Sequence, residues 1–133
     1  IEACLVGSEM CIRDSGREPL LINPNDAKIR NLKNDDIVKV FNDRGSCLAG
    51  LKISDDVMEG IVFLPVGAWY NPATDDDTFC IHGNPNVLTD DIGCSSLSQG
   101  PSAHSTLVEI HKWEKDLPSI TIFDAPKLKK LKL

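Results

Sequence analysis

The sequence predicts a mainly β fold, a small barrel with short helical insertions. Three observations carry that expectation. Short runs of β-branched and aliphatic residues recur between clusters of Gly, Pro, Asn and Asp. Two of those runs are joined by a tight Asn-Asp-Arg-Gly turn, as in a hairpin. A single stretch carries a well-formed helix start. The 133 residues, 41% of them hydrophobic, suffice for one domain and are too few for two, and no internal repeat is visible. Aromatics are scarce, so the core must rest on Val, Ile and Leu.

The opening stretch fits nothing that follows it. Residues 4–15, CLVGSEMCIRDS, show neither helical nor strand periodicity. With a suitable codon choice they look like a translated sequencing adapter, so residues 1–15 are expected to be an artefactual or disordered leader. Setting that stretch aside removes Glu2, Glu9, Asp14 and Arg13 from 20 acidic and 14 basic residues, leaving 17 and 13 and a net charge of −4. The whole sequence carries −6. Either value argues against nucleic-acid binding, which needs clustered Lys and Arg. No apolar run approaches the roughly 18–20 residues of a membrane span, and no signal-peptide core is present. The compartment, bacterial periplasm or cytoplasm, is left unassigned.

From Gly16 the elements follow in order. Asn23-Pro24-Asn25-Asp26 before AKIRNL is a helix start: Asn23 can cap, Pro24 suits the first position, and Asp26 favours the exposed amides. Asn34-Asp35-Asp36 should end that helix in a turn. The runs IVKVF and SCLAGLKI then form a hairpin, with Gly45 expected at positive φ. Ala49, Leu51 and Ile53 alternate with Leu48, Gly50 and Lys52, as in a half-buried strand. GIVFLPV reads as a strand buried on both faces. GAWYNPATDDDTFCIHGNPN reads as a long irregular loop. Asn86-Val87-Leu88-Thr89 can open another element, Gly93-Cys94-Ser95-Ser96 is turn chemistry, and Thr106–Ile110 (TLVEI) is the last clear strand. After Trp113 a Pro- and Lys-bearing tail should run over the surface. The division is therefore 1–15 leader, 16–113 domain and 114–133 tail.

Several motifs invite chemistry and do not support it. Cys4, Cys11, Cys47, Cys80 and Cys94 form no CxxC pair and match no zinc spacing, so they read as free thiols. Asp75-Asp76-Asp77 lacks the spaced oxygens, central Gly and closing Glu of a calcium loop. Cys80 and His82 are two ligands, too few for a metal site. Gly45-Ser46 is the bond type that pyruvoyl decarboxylases cleave in themselves, but Gly before Ser is common in turns. His104 between Ser102 and Ser105 could pair with a hydroxyl, yet no orienting acid is evident. No catalytic residue is assigned.

The stretch from His82 to Ile110 is richer. It combines amides, hydroxyls and small residues with little charge, and Gly83, Gly93 and Gly100 allow close backbone approach. Such a lining suits a heterocycle or nucleotide held by neutral donors and acceptors, and equally an ordinary loop.

INPNDAKIRNLKNDDIVKVFNDRGSCLAGLKI and WYNPATDDDTFCIHGNPNVLTDDIGCSSLSQGPSAHSTLVEI resemble the C-terminal domain of the dimethyl sulfoxide reductase family. The likeness runs from about Arg17 to Pro126 and is greatest to its trimethylamine-N-oxide and biotin sulfoxide reductase branch. The order NPxDA, VFNDRG, NVLT, QG, HS, LVE is more specific than any one piece. The resemblance implies a double-psi β-barrel, here lacking its first strand, that closes over a bis(molybdopterin guanine dinucleotide) cofactor. It places Asn86 on the cofactor, with Ala103, His104 and Ser105 against a pterin or its phosphate arm and Gln99 as a lesser contact. The chain would then be the C-terminal part of a molybdenum-dependent S- or N-oxide reductase, inactive alone and partnered by upstream domains. Two departures stand out: Cys94 replaces the family's usual Thr, and the molybdenum ligand, a Ser in this branch, lies upstream. The alternatives are a stand-alone double-psi barrel serving as an interaction module, and the pyruvoyl decarboxylase.

Overall fold

The computed structural model describes residues 16–103 and 106–125. The stretch read as a leader, and the candidates His104 and Ser105, lie outside the described residues. Strand β1 (Pro19–Ile22) passes into helix α1 (Pro24–Ile29) through Asn23. The Asn23 Oδ1 accepts from the Asn25 amide at 2.9 Å, the capping bond that the sequence predicts, while its Nδ2 donates to Val57 O at 2.8 Å. The helix is shorter than the AKIRNL run suggests. Asn31 adopts φ 53° and Asp35 φ 67°, so a left-handed residue turns the chain before the expected Asn34–Asp36 turn.

Strands β2 (Ile37–Phe41) and β3 (Ser46–Ile53) form the antiparallel hairpin, in a register that puts Val38 opposite Ala49 and Val40 opposite Cys47. Gly45 is not at positive φ, contrary to expectation. Its glycine is required by crowding: a Cβ there would lie 2.5 Å from Val87 O and 2.6 Å from Thr78 O. Nor is β3 half-buried. Ser46–Leu51 are buried on both faces, because β3 is paired along both edges. β2 covers one edge. The other is shared between β6 (Asp76–Cys80), parallel at Ser46 and Cys47, and β1, parallel from Gly50 to Ile53.

The stretch expected as one long loop contains a hairpin, β5 (Pro72–Ala73) with β6. The exposed acidic residues of β6 mask its strand character in the sequence. GIVFLPV is the reverse case: only β4 (Val62–Phe63) is strand, at the sheet edge beside β1, and Phe63 is 53% exposed. Pro65 cannot donate to a ladder and ends it. Strand β7 (Glu109–Lys112) starts three residues later than predicted and pairs with β2, Ile110 opposite Val40. The lead-in 106–108 is diverted: Leu107 O accepts from Asn42 Nδ2, and Thr106 Oγ1 donates to Ala103 O.

The resulting sheet runs β4-β1-β3-β2-β7, with β5 and β6 attached through β3, and curls into a half-barrel. Leu20, Ile22, Val38, Val40, Leu51 and Leu88 fill its hollow with Cys47, Cys80 and Ile110. β4 and β7, the two ends of the path, are not paired with each other, which leaves an open seam. Among the described residues beyond Trp113 there is no helix or strand. The chain there is held by Arg17 Nη2 donating to Pro118 O at 2.6 Å and by Phe123 packing edge-on to His82. No helix among the described residues is long and apolar enough to cross a membrane.

Candidate functional site

A cleft of about 350 Å³ opens along the seam. One wall is the β4 run, Val62, Phe63, Leu64 and Val66. The opposite wall is Thr106 and Val108, and Leu20 and Val40 form the floor. At one end the lining turns polar: Pro85, Asn86 and Thr89 meet Ala103 there. No charged residue lines this cleft among the described residues. A second cavity of about 320 Å³ continues the seam past Ile61, Leu107 and Ile110, and there Asp26 Oδ2 accepts from the Gly60 amide at 2.7 Å.

Asn86 is carried by a single 3-10 turn, Pro85–Val87, built by local chemistry. Asn84 Oδ1 accepts from the Asn86 amide at 2.8 Å, Pro85 pre-sets the backbone angle, and Leu88 N closes on Pro85 O at 2.9 Å. Asn84 is anchored in turn by donating its Nδ2 to Ala68 O at 2.8 Å. Only the main chain of Asn86 is engaged, Thr89 Oγ1 donating to its carbonyl at 3.4 Å. The side-chain amide, exposed at the cleft, makes no hydrogen bond to any described residue.

Of the candidates named from sequence, Asn86 and Ala103 therefore line one cleft. Gln99 stands apart: its Nε2 donates to Ser95 O at 3.3 Å, within a turn closed by Cys94 N to Gly100 O and bridged at Gly93 and Pro101. Cys94, in the place of the family's Thr, directs its thiol to Ser98 O at 3.4 Å, a weak form of the bond a hydroxyl would make there. Thr89, Thr106 and the β4 wall were not foreseen. Pro65 inside GIVFLPV was the available signal, because proline confines a strand to an edge.

The remaining motifs are structural. Cys80 Sγ accepts from the Asn71 and Asn84 amides, both at 3.5 Å, and His82, fully buried, sets Nδ1 3.1 Å from Trp69 O. Asp76 caps its own turn: the hydroxyl and amide of Thr78 hold its carboxyl below the usual range. Burial, with Cys80 alongside, pushes the Cys47 thiol up to about 12. No cluster of three or more metal-ligating side chains occurs among the described residues.

The site suits a flat ring system. Apolar walls sandwich a ring, and a free amide offers donor and acceptor to its edge. Thr89, on the same lining, adds a neutral hydroxyl at the polar end. A pterin or purine dinucleotide fits these residues on those grounds.

The family described as "Molydopterin dinucleotide binding domain" matches residues 8–107. The trimethylamine-N-oxide reductase of Salmonella typhimurium (strain LT2) is 50% identical over 113 residues, which are 84% of this chain and 13% of that protein. Trimethylamine-N-oxide reductase 1 of Escherichia coli O157:H7 is 46% identical over 114 residues, again 84% and 13%. The reductase of Vibrio cholerae serotype O1 is 45% identical over 112 residues, 84% of this chain and 14% of that one. The chain thus spans about an eighth of the length of these relatives. Among solved structures, acetylene hydratase from Pelobacter acetylenicus superposes with a TM-score of 0.59 at 18% identity, covering 72% of this chain and 14% of that chain, which shows a shared fold.

Proposed function

The chain belongs to the molydopterin dinucleotide binding domain family, and from that premise we propose that it is the cofactor-binding part of a longer molybdenum-dependent S- or N-oxide reductase. The cofactor in this reading is bis(molybdopterin guanine dinucleotide). The observation that carries it is the free Asn86 amide at the polar end of the seam cleft, beside Ala103. When bound, the cofactor supplies the two-electron chemistry that takes an oxygen atom from the oxide. The residues here bind and orient. Asn86 holds a ring edge, Ala103 leaves room for it, and His104 and Ser105, with Gln99 farther out, contact the pterin or its phosphate arm. Residues 16–113 form the domain in this reading, 114–133 its surface tail and 1–15 a leader, with the upstream domains of the reductase as partners.

Hydrogen-exchange mass spectrometry on the 133-residue chain, with and without millimolar GDP, tests the proposal. Protection of peptides spanning residues 84–92 and 99–107 by GDP, and much less by ADP, is the expected result. No protection, or equal protection by both nucleotides, overturns it. An intact mass showing two pieces cut between Gly45 and Ser46 would move the assignment to the decarboxylase.

A further inference from the structure

The turn between β2 and β3 lines neither cavity, yet it ties the polar end of the cleft to its 106–108 wall. Leu88 O, two residues beyond Asn86, accepts from Asn42 Nδ2 at 2.8 Å and from Arg44 Nε at 2.8 Å. The same Asn42 Nδ2 donates to Leu107 O at 3.2 Å, on the opposite wall. Arg44 Nη1 reaches Asp90 Oδ2 at 3.0 Å, just past Thr89. Gly45 sits so close to Val87 O that no side chain could intervene. One side-chain amide thus bridges the 3-10 turn that carries Asn86 and the diverted lead-in to β7. Hydrogen bonds between side chains and carbonyls of this kind fix a loop that has no ladder to hold it.

We propose that Asn42 and Arg44 are positioning residues for the cofactor cleft: they set the distance between its polar end and the 106–108 wall and thereby the placement of Asn86. This rests on the cofactor reading above, and it goes further by assigning the effect to residues that touch no ligand. Asn42 has two separable jobs. Its Oδ1 accepts from Arg44 N at 3.0 Å and Gly45 N at 3.3 Å, which shapes the turn, while its Nδ2 does the bridging. Asn42→Asp keeps the first and removes the second, since a carboxylate cannot donate.

The test compares unmodified chain, Asn42→Asp and Arg44→Ala by hydrogen exchange. In both variants exchange should quicken across residues 86–90, and in Asn42→Asp also across 106–108, while peptides from β3 stay as protected as before. GDP affinity should fall roughly three- to tenfold for each hydrogen bond lost. Unchanged exchange at both 86–90 and 106–108 in Asn42→Asp overturns the clamp. So does equal loosening of β3, which would make the turn a general brace. If the unmodified chain shows no GDP protection, the cofactor reading falls, and the exchange comparison still decides whether the clamp exists.

Discussion

SCLAGLKI and GIVFLPV are comparably apolar runs, and the molecule treats them oppositely. The first is β3, with Leu48 and Leu51 fully buried, β2 along one edge over Ser46–Gly50, and β6 and β1 sharing the other. The second yields a two-residue edge strand, and its Ile61, Phe63 and Val66 stay more than half exposed. Hydrophobicity says that a run prefers to be covered. Whether it is covered depends on which neighbours the chain can bring to it. β3 draws its partners from β1, β2 and β6, all within the described residues. The β4 run faces an open seam, so its apolar surface forms a wall of the seam cleft.

The largest effect should separate these two runs directly. Leu51→Ala removes a side chain with no exposed surface and should cost about 2–5 kcal/mol of stability. Phe63→Ser, on the exposed wall, should change stability by roughly 0.5 kcal/mol or less. Urea titrations of both variants check this. A loss at Phe63 comparable to that at Leu51 would mean that β4 is buried in solution, and the contrast would dissolve. Thiol labelling sharpens the same comparison. Cys47, in β3, is fully buried with its thiol pushed up to about 12, whereas Cys94 is exposed. Peptide mapping after brief iodoacetamide treatment at neutral pH should find Cys94 modified and Cys47 untouched until denaturant is added.

The smallest effect concerns the other rim of the seam. Lys112, at the end of β7, pairs with Asp36 at 2.7 Å. Partial loss of solvent pushes the Asp36 carboxyl up, but the Lys112 ammonium and the Lys33 amide outweigh it and hold the pKa below the ordinary 3.8. A depressed carboxyl pKa contributes stability that is complete above the ordinary value and is lost as pH falls through the lowered one. Lys112→Ala should therefore lose a little stability near neutral pH, and acid unfolding should show that gap from the unmodified chain closing as pH falls below about 4. A steeper acid loss than in the unmodified chain would contradict this.

Local chemistry was legible in the sequence. Asn23 capping α1, the NDRG hairpin and the turn at Gly93–Ser96 appear where their residues put them, and the element expected over Asn86–Thr89 is a 3-10 turn at Pro85–Val87. Long-range partnership was not. Gly45 looked like a turn glycine, and its reason lies in Val87 and Thr78, more than thirty residues away. β6 hid behind exposed aspartates, because it needs only Phe79 and Cys80 to join β3. The site divides the same way. Asn86 and Ala103 were legible through resemblance, whereas the cleft between them required knowing that β4 and β7 fail to meet.

The pairing of β2 with β7 has a kinetic side. Val38 and Val40 leave the ribosome well before their partners Lys112 and Ile110, which lie in the last strand of the described residues. Until then β2 presents a bare hydrogen-bonding edge to every other nascent chain nearby. Closing such distant segments is slow, and the exposed edge is open to mispairing while it waits. Synthesis halted before Glu109 would release a hairpin with its sticky side outward. By pairing with β2, β7 thus withdraws an edge that other chains could otherwise have captured.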